Sequence, residues 1–142
     1  MKKLILITAI LLANFSILNS ESTSRKFYPE VIIKSKQIII KNVTATMYNP
    51  VASQCDSTPL ITAGNYHINP TKASQQKYIA VSRNLLKIFK YGDRVKITHA
   101  GHKNGIYKVT DTMAKRYVNR IDFLETEGTA LYKLENVILT KI

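Results

Sequence analysis

The sequence predicts a mainly β protein that closes into a small barrel and carries one or two short helices. Short runs of β-branched and aromatic residues recur from Val31 to the end of the chain. Glycine, proline and asparagine separate these runs at close intervals. Only Arg83–Phe89, preceded by Ser82 as a helix cap, has apolar residues at helical spacing. Many short strands joined by tight turns are typical of a closed β-barrel.

The N-terminus has the pattern of a secretory signal peptide. Two lysines precede an apolar run, Leu4–Ala13, which gives way to small and polar residues. This run is too short to span a membrane comfortably. We expect residues 1–20 to be a signal peptide, residues 21–35 a flexible leader and residues 36–142 the folded domain. The protein is then exported, to the periplasm or to the outside of the cell in association with the wall.

The chain is strongly basic, with 21 Lys and Arg against 9 Asp and Glu. Its net charge is +12, or +10 without the two N-terminal lysines. For an exported protein this charge favours an anionic cell-wall polymer or lipid head groups over nucleic acid, and a merely solvated basic surface is the alternative. No nucleic-acid-binding motif accompanies the charge, so no nucleic acid is expected as a partner. A single cysteine, Cys55, excludes an internal disulfide. We expect a monomer.

Each predicted element follows from local composition. Asn-Pro and Ser-Thr-Pro mark a loop at Asn49–Pro59, and Pro70 marks a second loop at Asn65–Lys77. Glycines mark turns at Tyr91–Asp93 and Ala100–Gly105. Strand-forming residues fill the intervening segments. Strands are therefore predicted at Ile38–Ile40, Asn42–Tyr48, Leu60–Gly64, Tyr78–Val81, Arg94–His99, Ile106–Thr110, Arg120–Leu124 and Val137–Ile142, with a further β-branched run at Val31–Ile33.

Two aspartates interrupt this strand-like sequence. Asp111 ends one apolar run, and Asp122 lies inside the next, Arg120–Leu124. Strand alternation places Asp122 opposite its apolar neighbours and Asp111 on the face of Tyr107 and Val109. The apolar sequence neighbours of Asp122 favour partial desolvation and a raised pKa of its carboxyl group. If the barrel brings both carboxyl groups together, their repulsion holds one proton near neutral pH, as glycosidic bond cleavage requires. The alternative is that both acids pair with nearby basic side chains or cap a turn.

The order of several short motifs, together with the interval between the two aspartates, resembles the 3D (three-aspartate) domain. This double-psi β-barrel is shared by the membrane-bound lytic transglycosylase A family, cell-wall stationary-phase survival proteins and, more distantly, expansins. The resemblance runs from about Thr44 to Phe123. It is carried by Thr46-Met47-Tyr48, Thr62-Ala63-Gly64, Ile79-Ala80-Val81, Tyr91-Gly92-Asp93-Arg94-Val95, Gly105-Ile106-Tyr107-Lys108-Val109, Asp111-Thr112 and Arg120-Ile121-Asp122-Phe123.

The resemblance implies a six-stranded double-psi barrel and cleavage of the MurNAc–GlcNAc bond of peptidoglycan without water. It implies that Asp122 is the catalytic acid and base and that Asp111 supports it. No metal or other cofactor is implied. The chain departs from the family at Ser82, where the first aspartate stands, and at Met113, where Asp-Thr is followed by glycine. These departures keep a second interpretation open: a non-catalytic, expansin-like glycan-binding module.

Residues near the matching motifs are candidates for substrate binding. Tyrosines can form a platform for sugar rings, although core packing is the alternative. Basic residues beside the acids can hold carboxylates of peptide stems, with a solvated basic face as the alternative. The candidate substrate-binding residues are Tyr48, Thr62, Thr112, Lys115, Tyr117 and Arg120, and Arg116 shares the basic stretch.

Two other site types are disfavoured by the sequence. Asp111-Thr112 begins like the motif of aspartic proteases, but Met113 replaces the required glycine. His99 and His102 have the spacing of a metal-binding pair, but they lie in a glycine turn, where a structural or solvated pair is the simpler interpretation.

Overall fold

The fold is a closed barrel of six strands, as seen in a computed structural model that describes residues 36–54 and 57–142. The predicted signal peptide, the leader with its Val31–Ile33 run, and Cys55 and Asp56 lie outside the described residues. The strands are β1 (Ile39–Tyr48), β2 (Tyr78–Val81), β3 (Arg94–Thr98), β4 (Gly105–Thr112), β5 (Arg120–Leu124) and β6 (Leu134–Lys141).

The barrel mixes parallel and antiparallel pairs. Its strand order is β1-β5-β2-β4-β3-β6, and β6 closes the barrel against β1. The pairs β1–β5 and β2–β4 are parallel, and the other four are antiparallel. One short helix, α1 (Arg83–Leu86), follows β2, and 3₁₀ turns occur at Pro70–Gln76 and Gly101–Lys103. The prediction of a mainly β, six-stranded barrel with few short helices is confirmed.

Several boundaries differ from the predicted ones. Leu60–Gly64 is not a strand: it contributes a single bridge, between Ile61 and His67, because the chain turns back at once. The helix predicted at Arg83–Phe89 ends at Leu86. Phe89 lies in the bend that follows the helix, and its ring packs in the interior of the barrel. The loop predicted around Pro70 contains 3₁₀ turns. The structure joins the two strands predicted at Ile38–Ile40 and Asn42–Tyr48 into one, β1, which begins at Ile39. Within β1, Asn42 has a φ of 57°.

Strand alternation separates the interior of the barrel from its outer face. Side chains at alternating positions, such as Ile79 and Val81 on β2 or Ile121 and Phe123 on β5, are fully buried inside. The residues between them face outward, where a smaller apolar cluster lies beneath the long loops. This outer cluster contains Tyr48, Ile68, Ala73, Ala80, Met113 and Leu124.

Candidate functional site

The two aspartates flank the same residue of the barrel wall. Asp122 on β5 is paired with Ala80 on β2, and Ala80 is paired on its other side with Asp111 on β4. Neighbouring strands lie about 4.8 Å apart, so the two aspartate Cα atoms are about 10 Å apart. Thr46 on β1 extends the row, because it is paired with Asp122. Both acids therefore belong to one surface, with the small side chain of Ala80 between them.

A β-bulge in β4 turns Asp111 towards this surface. The register between β2 and β4 shifts after Val109, which makes Thr110 an extra residue. The carbonyl oxygen of Thr110 accepts a hydrogen bond from the N–H of Gly64 at 2.9 Å. The prediction that Asp111 shares the face of Tyr107 and Val109 is therefore wrong, because the bulge resets the alternation.

The surface that holds the aspartates is the floor of a groove with a volume of about 750 Å³. The loop after β1 and the connection between β4 and β5 also contribute to it. Its volume lies in the range of sites that bind small molecules. The described residues lining it are Met47, Tyr48, Ser53, Gln54, Thr58, Pro59, Ile61, Ala63, Ala80, Arg83, Asp111, Thr112, Met113, Ala114, Arg116, Tyr117 and Asp122.

Asp122 is partly buried in the floor of the groove. Burial raises the pKa of its carboxyl group above the ordinary value, although a hydrogen bond from Thr46 and the charge of Arg120 oppose the shift. The Thr46 hydroxyl donates to Asp122 Oδ1. Repulsion by Asp111 is not among the causes of this shift, since the two acids are separated by the width of β2. The pKa increase expected from desolvation is therefore present, whereas the additional repulsion expected from Asp111 is not among its causes.

Asp111 is tied to the backbone around it. Its Oδ1 accepts hydrogen bonds from the N–H of Ala63 at 3.1 Å and from the N–H of Thr112 at 2.8 Å. Its Oδ2 accepts a longer one from the Tyr48 hydroxyl at 3.4 Å. Asp111 thereby joins the end of β4 to the loop around Ala63, so its carboxylate shapes one wall of the groove.

The residues predicted to bind substrate divide into two groups. Tyr48, Thr112 and Tyr117 line the groove. Thr62 is buried, and its hydroxyl accepts a hydrogen bond from the N–H of Tyr66 at 3.0 Å. Lys115 is exposed and does not line the groove.

Arg120 does not line the groove but contacts the ring of Tyr117, which does. The guanidinium carbons of Arg116 and Arg120 each lie 4.8 Å from the centroid of the Tyr117 ring. The Tyr117 hydroxyl accepts a hydrogen bond from Arg116 at 3.1 Å. The Tyr117 ring therefore packs against two guanidinium groups while it lines the groove.

Ser82 joins β2 to the start of β5. It is fully buried, and its hydroxyl accepts a hydrogen bond from the N–H of Arg120 at 3.1 Å and donates one to Asn84 Oδ1 at 2.7 Å. Ser82 occupies the N-cap position of α1, as predicted, although its side chain forms no capping hydrogen bond. Ser82 is not among the groove-lining residues, so its visible role is to fix the backbone beside Asp122.

Sequence reasoning missed three contributors to the groove. Ala80 separates the acids, Thr46 binds Asp122, and Arg83 lines the groove from the start of α1. Thr46 and Ala80 lie inside motifs that were recognised, but only the strand register shows that they neighbour the acids. Nothing in the sequence distinguishes Arg83 from the other basic residues.

Within residues 36–54 and 57–142, no three His, Cys, Asp or Glu side chains are grouped to hold a metal ion. The ring of His102 packs edge-on against Tyr132, with 6.0 Å between the ring centroids. The described part of the chain also contains no helix that is long and apolar enough to cross a membrane.

Comparison with known proteins adds no assignment: no protein-family model and no curated protein matches this sequence.

Proposed function

We propose that this protein is an exported, cell-wall-active barrel that cleaves peptidoglycan glycan strands in the manner of a lytic transglycosylase. The observation that carries the proposal is one groove holding Asp122 and Asp111 on either side of Ala80, with burial raising the pKa of Asp122. The closed, mixed six-stranded barrel is compatible with the double-psi fold of the 3D domain. The motif order in the sequence supports the same family.

The proposed chemistry needs one acid that gives and then takes a proton. Protonated Asp122 donates its proton to the glycosidic oxygen as the bond between that oxygen and C1 of MurNAc breaks. The Asp122 carboxylate then accepts the proton of the C6 hydroxyl as the C6 oxygen bonds to C1. This step forms a 1,6-anhydro ring and leaves a free hydroxyl on GlcNAc. The nucleophile belongs to the substrate, so no water or second carboxylate has to be positioned across the sugar.

The surroundings of Asp122 suit this cycle. A carboxyl group with a raised pKa remains a proton donor closer to neutral pH than an ordinary aspartic acid. After it donates the proton, the Thr46 hydroxyl and the charge of Arg120 stabilise the carboxylate. Asp111 acts in this proposal as a positioning residue, because its Oδ1 accepts hydrogen bonds from the N–H groups of Ala63 and Thr112 at the groove wall.

The alternative is a glycan-binding module without catalysis. It is favoured by Ser82, which leaves an uncharged, buried hydroxyl where the related family has its first aspartate. It is also favoured by the engagement of Asp111 with backbone N–H groups, which suits a structural role. In this case the groove binds glycan strands and releases them unchanged.

Product analysis separates the two functions. Purified peptidoglycan is incubated with the protein, and the soluble products are examined by mass spectrometry for 1,6-anhydro-muropeptides. We expect them with the wild-type protein and a loss of about 10²-fold or more with Asp122→Asn, the usual range for a general acid. Glu127→Gln is the matched control, because Glu127 is exposed, follows β5 and does not line the groove. Sedimentation with peptidoglycan without any anhydro product supports the binding module and contradicts the enzyme.

A further inference from the structure

The groove contains two guanidinium groups in addition to its two acids. Arg83 is the first residue of α1, three positions after Ala80, and Arg116 belongs to the connection between β4 and β5. Both residues are exposed and both line the groove. Neither forms a salt bridge with any carboxylate in residues 36–54 and 57–142.

Other carboxylates of the barrel are paired with lysines away from the groove. Lys103 pairs with Glu125, Lys133 with Glu135, and Lys141 with Asp93. The basic residues that line the groove are thus arginines, whereas the cations of these three ion pairs are lysines. A guanidinium offers a planar set of donors that can bind both oxygens of a carboxylate, which an ammonium group does not.

Arg116 is also held in place before any ligand arrives. Its guanidinium packs on the Tyr117 ring at 4.8 Å and donates a hydrogen bond to the Tyr117 hydroxyl at 3.1 Å. Arg120 packs on the same ring. Ordering a long side chain in advance reduces the entropy lost on binding, so this arrangement favours recognition of an anion by Arg116.

We propose that Arg83 and Arg116 bind a carboxylate carried by the glycan, so that the groove selects strands that keep peptide stems with free carboxylates. This inference rests on the proposed function and names its substrate class. A strand carrying carboxylates would be repelled by the Asp111 carboxylate if the groove had no compensating cations. With the arginines present, the anionic substituent is bound by the guanidinium groups and the neutral glycosidic oxygen faces Asp122.

The test measures binding of the full chain in the Asp122→Asn background, so that the glycan is not consumed. Three insoluble glycans are used: intact peptidoglycan, peptidoglycan with its carboxylates converted to amides, and glycan stripped of its stems. Arg83→Gln and Arg116→Gln are compared with Lys115→Gln, which removes a neighbouring charge that does not line the groove. Arg83→Lys and Arg116→Lys keep the charge but lose the planar donor set. Circular dichroism checks that each variant is folded.

We expect each Arg→Gln change to weaken binding of the intact glycan about tenfold, the effect of one charge-assisted hydrogen bond. Lys115→Gln should change the affinity for the intact glycan little, and the Arg→Lys variants should recover only part of the lost affinity. On the amidated and stripped glycans, no variant should change the affinity. Equal weakening by all three Gln variants, or the same Arg dependence on neutral glycan, overturns the inference.

Competition identifies the source of the anion. Inorganic phosphate that displaces the intact glycan at concentrations where acetate does not would indicate a phosphate site, and would overturn the carboxylate assignment. Release of anhydro-muropeptides by the wild-type protein, without any dependence of binding on Arg83 or Arg116, contradicts this inference and leaves the proposed function standing. Absence of anhydro products contradicts the proposed function. In that case the binding measurements with the three glycans still test whether Arg83 and Arg116 recognise a carboxylate.

Discussion

Replacement of Thr46 by valine tests how the barrel controls the charge of Asp122. Valine keeps the β-branched shape of threonine and replaces the hydroxyl that donates to Asp122 Oδ1 with a methyl group. A hydrogen bond to a charged group contributes about 1.5–3 kcal/mol, so the variant should lose about this much unfolding free energy near pH 7. For a domain of this size that corresponds to a fall in melting temperature of roughly 6–12 °C.

The loss should depend on pH in a definite direction. The folded-state pKa of Asp122 is raised above its unfolded value, so folding stability falls as pH rises from the unfolded pKa, about 3.9, through the folded one. Without the Thr46 hydroxyl this pKa rises further and the fall becomes larger. Below about pH 3 Asp122 is protonated in both states, and the cost of Thr46→Val should shrink to about 1 kcal/mol, as for a neutral hydrogen bond.

The assay is thermal or urea unfolding across pH 3 to 8 for the wild type, Thr46→Val, Asp122→Asn and the double variant. Thr44→Val is the matched control, because Thr44 lies on the same strand and donates at 3.3 Å to Glu135, which is exposed. We expect little change from Thr44→Val, and a small, pH-independent cost of Thr46→Val in the Asp122→Asn background. A cost of Thr46→Val that is the same at all pH values, or undiminished without the Asp122 carboxylate, would refute the reasoning.

Two further changes test the fold that positions the site. Gly64→Ala should destabilise the protein by about 1–3 kcal/mol in urea unfolding, because a Cβ there would lie 2.7 Å from the Thr110 carbonyl oxygen at the bulge; an unchanged midpoint would contradict this close packing. Glu125→Gln should cost about 3 kcal/mol at pH 7 because it leaves the Lys103 ammonium without its buried partner. The pKa of Glu125 is lowered, so this difference should diminish as pH falls through that pKa. Glu135→Gln, at an exposed pair, should change the melting temperature little, and equal losses from both changes would contradict a special role for burial.

Much of the barrel could be predicted because strand alternation and turn residues are local signals. Tyr78–Val81 and Arg120–Leu124 were predicted with the boundaries that the structure has, since glycine, proline or polar loops delimit them. Leu60–Gly64 misled the prediction, because its β-forming composition is overridden by a tight turn in which Gly64 docks on β4.

The candidate groove was only partly predictable. Asp111 and Asp122 were singled out as lone acids within apolar runs, and the strand register does place them on one surface. The direction of the Asp111 side chain depends on the bulge at Thr110. The alternation of apolar and polar residues along a strand does not reveal where a bulge inserts one extra residue. Arg83 enters the groove because α1 begins there, which is a property of tertiary packing rather than of local sequence.

A titration of the Asp122 side-chain carboxyl carbon by NMR tests the central claim most directly, because the proposed acid must hold its proton more tightly than an ordinary aspartic acid. We predict a midpoint above the ordinary value of about 3.9 that moves higher in Thr46→Val and little in Asp111→Asn, since burial and not the second acid causes the shift. A midpoint at or below the ordinary value, with no response to Thr46→Val, would contradict the account.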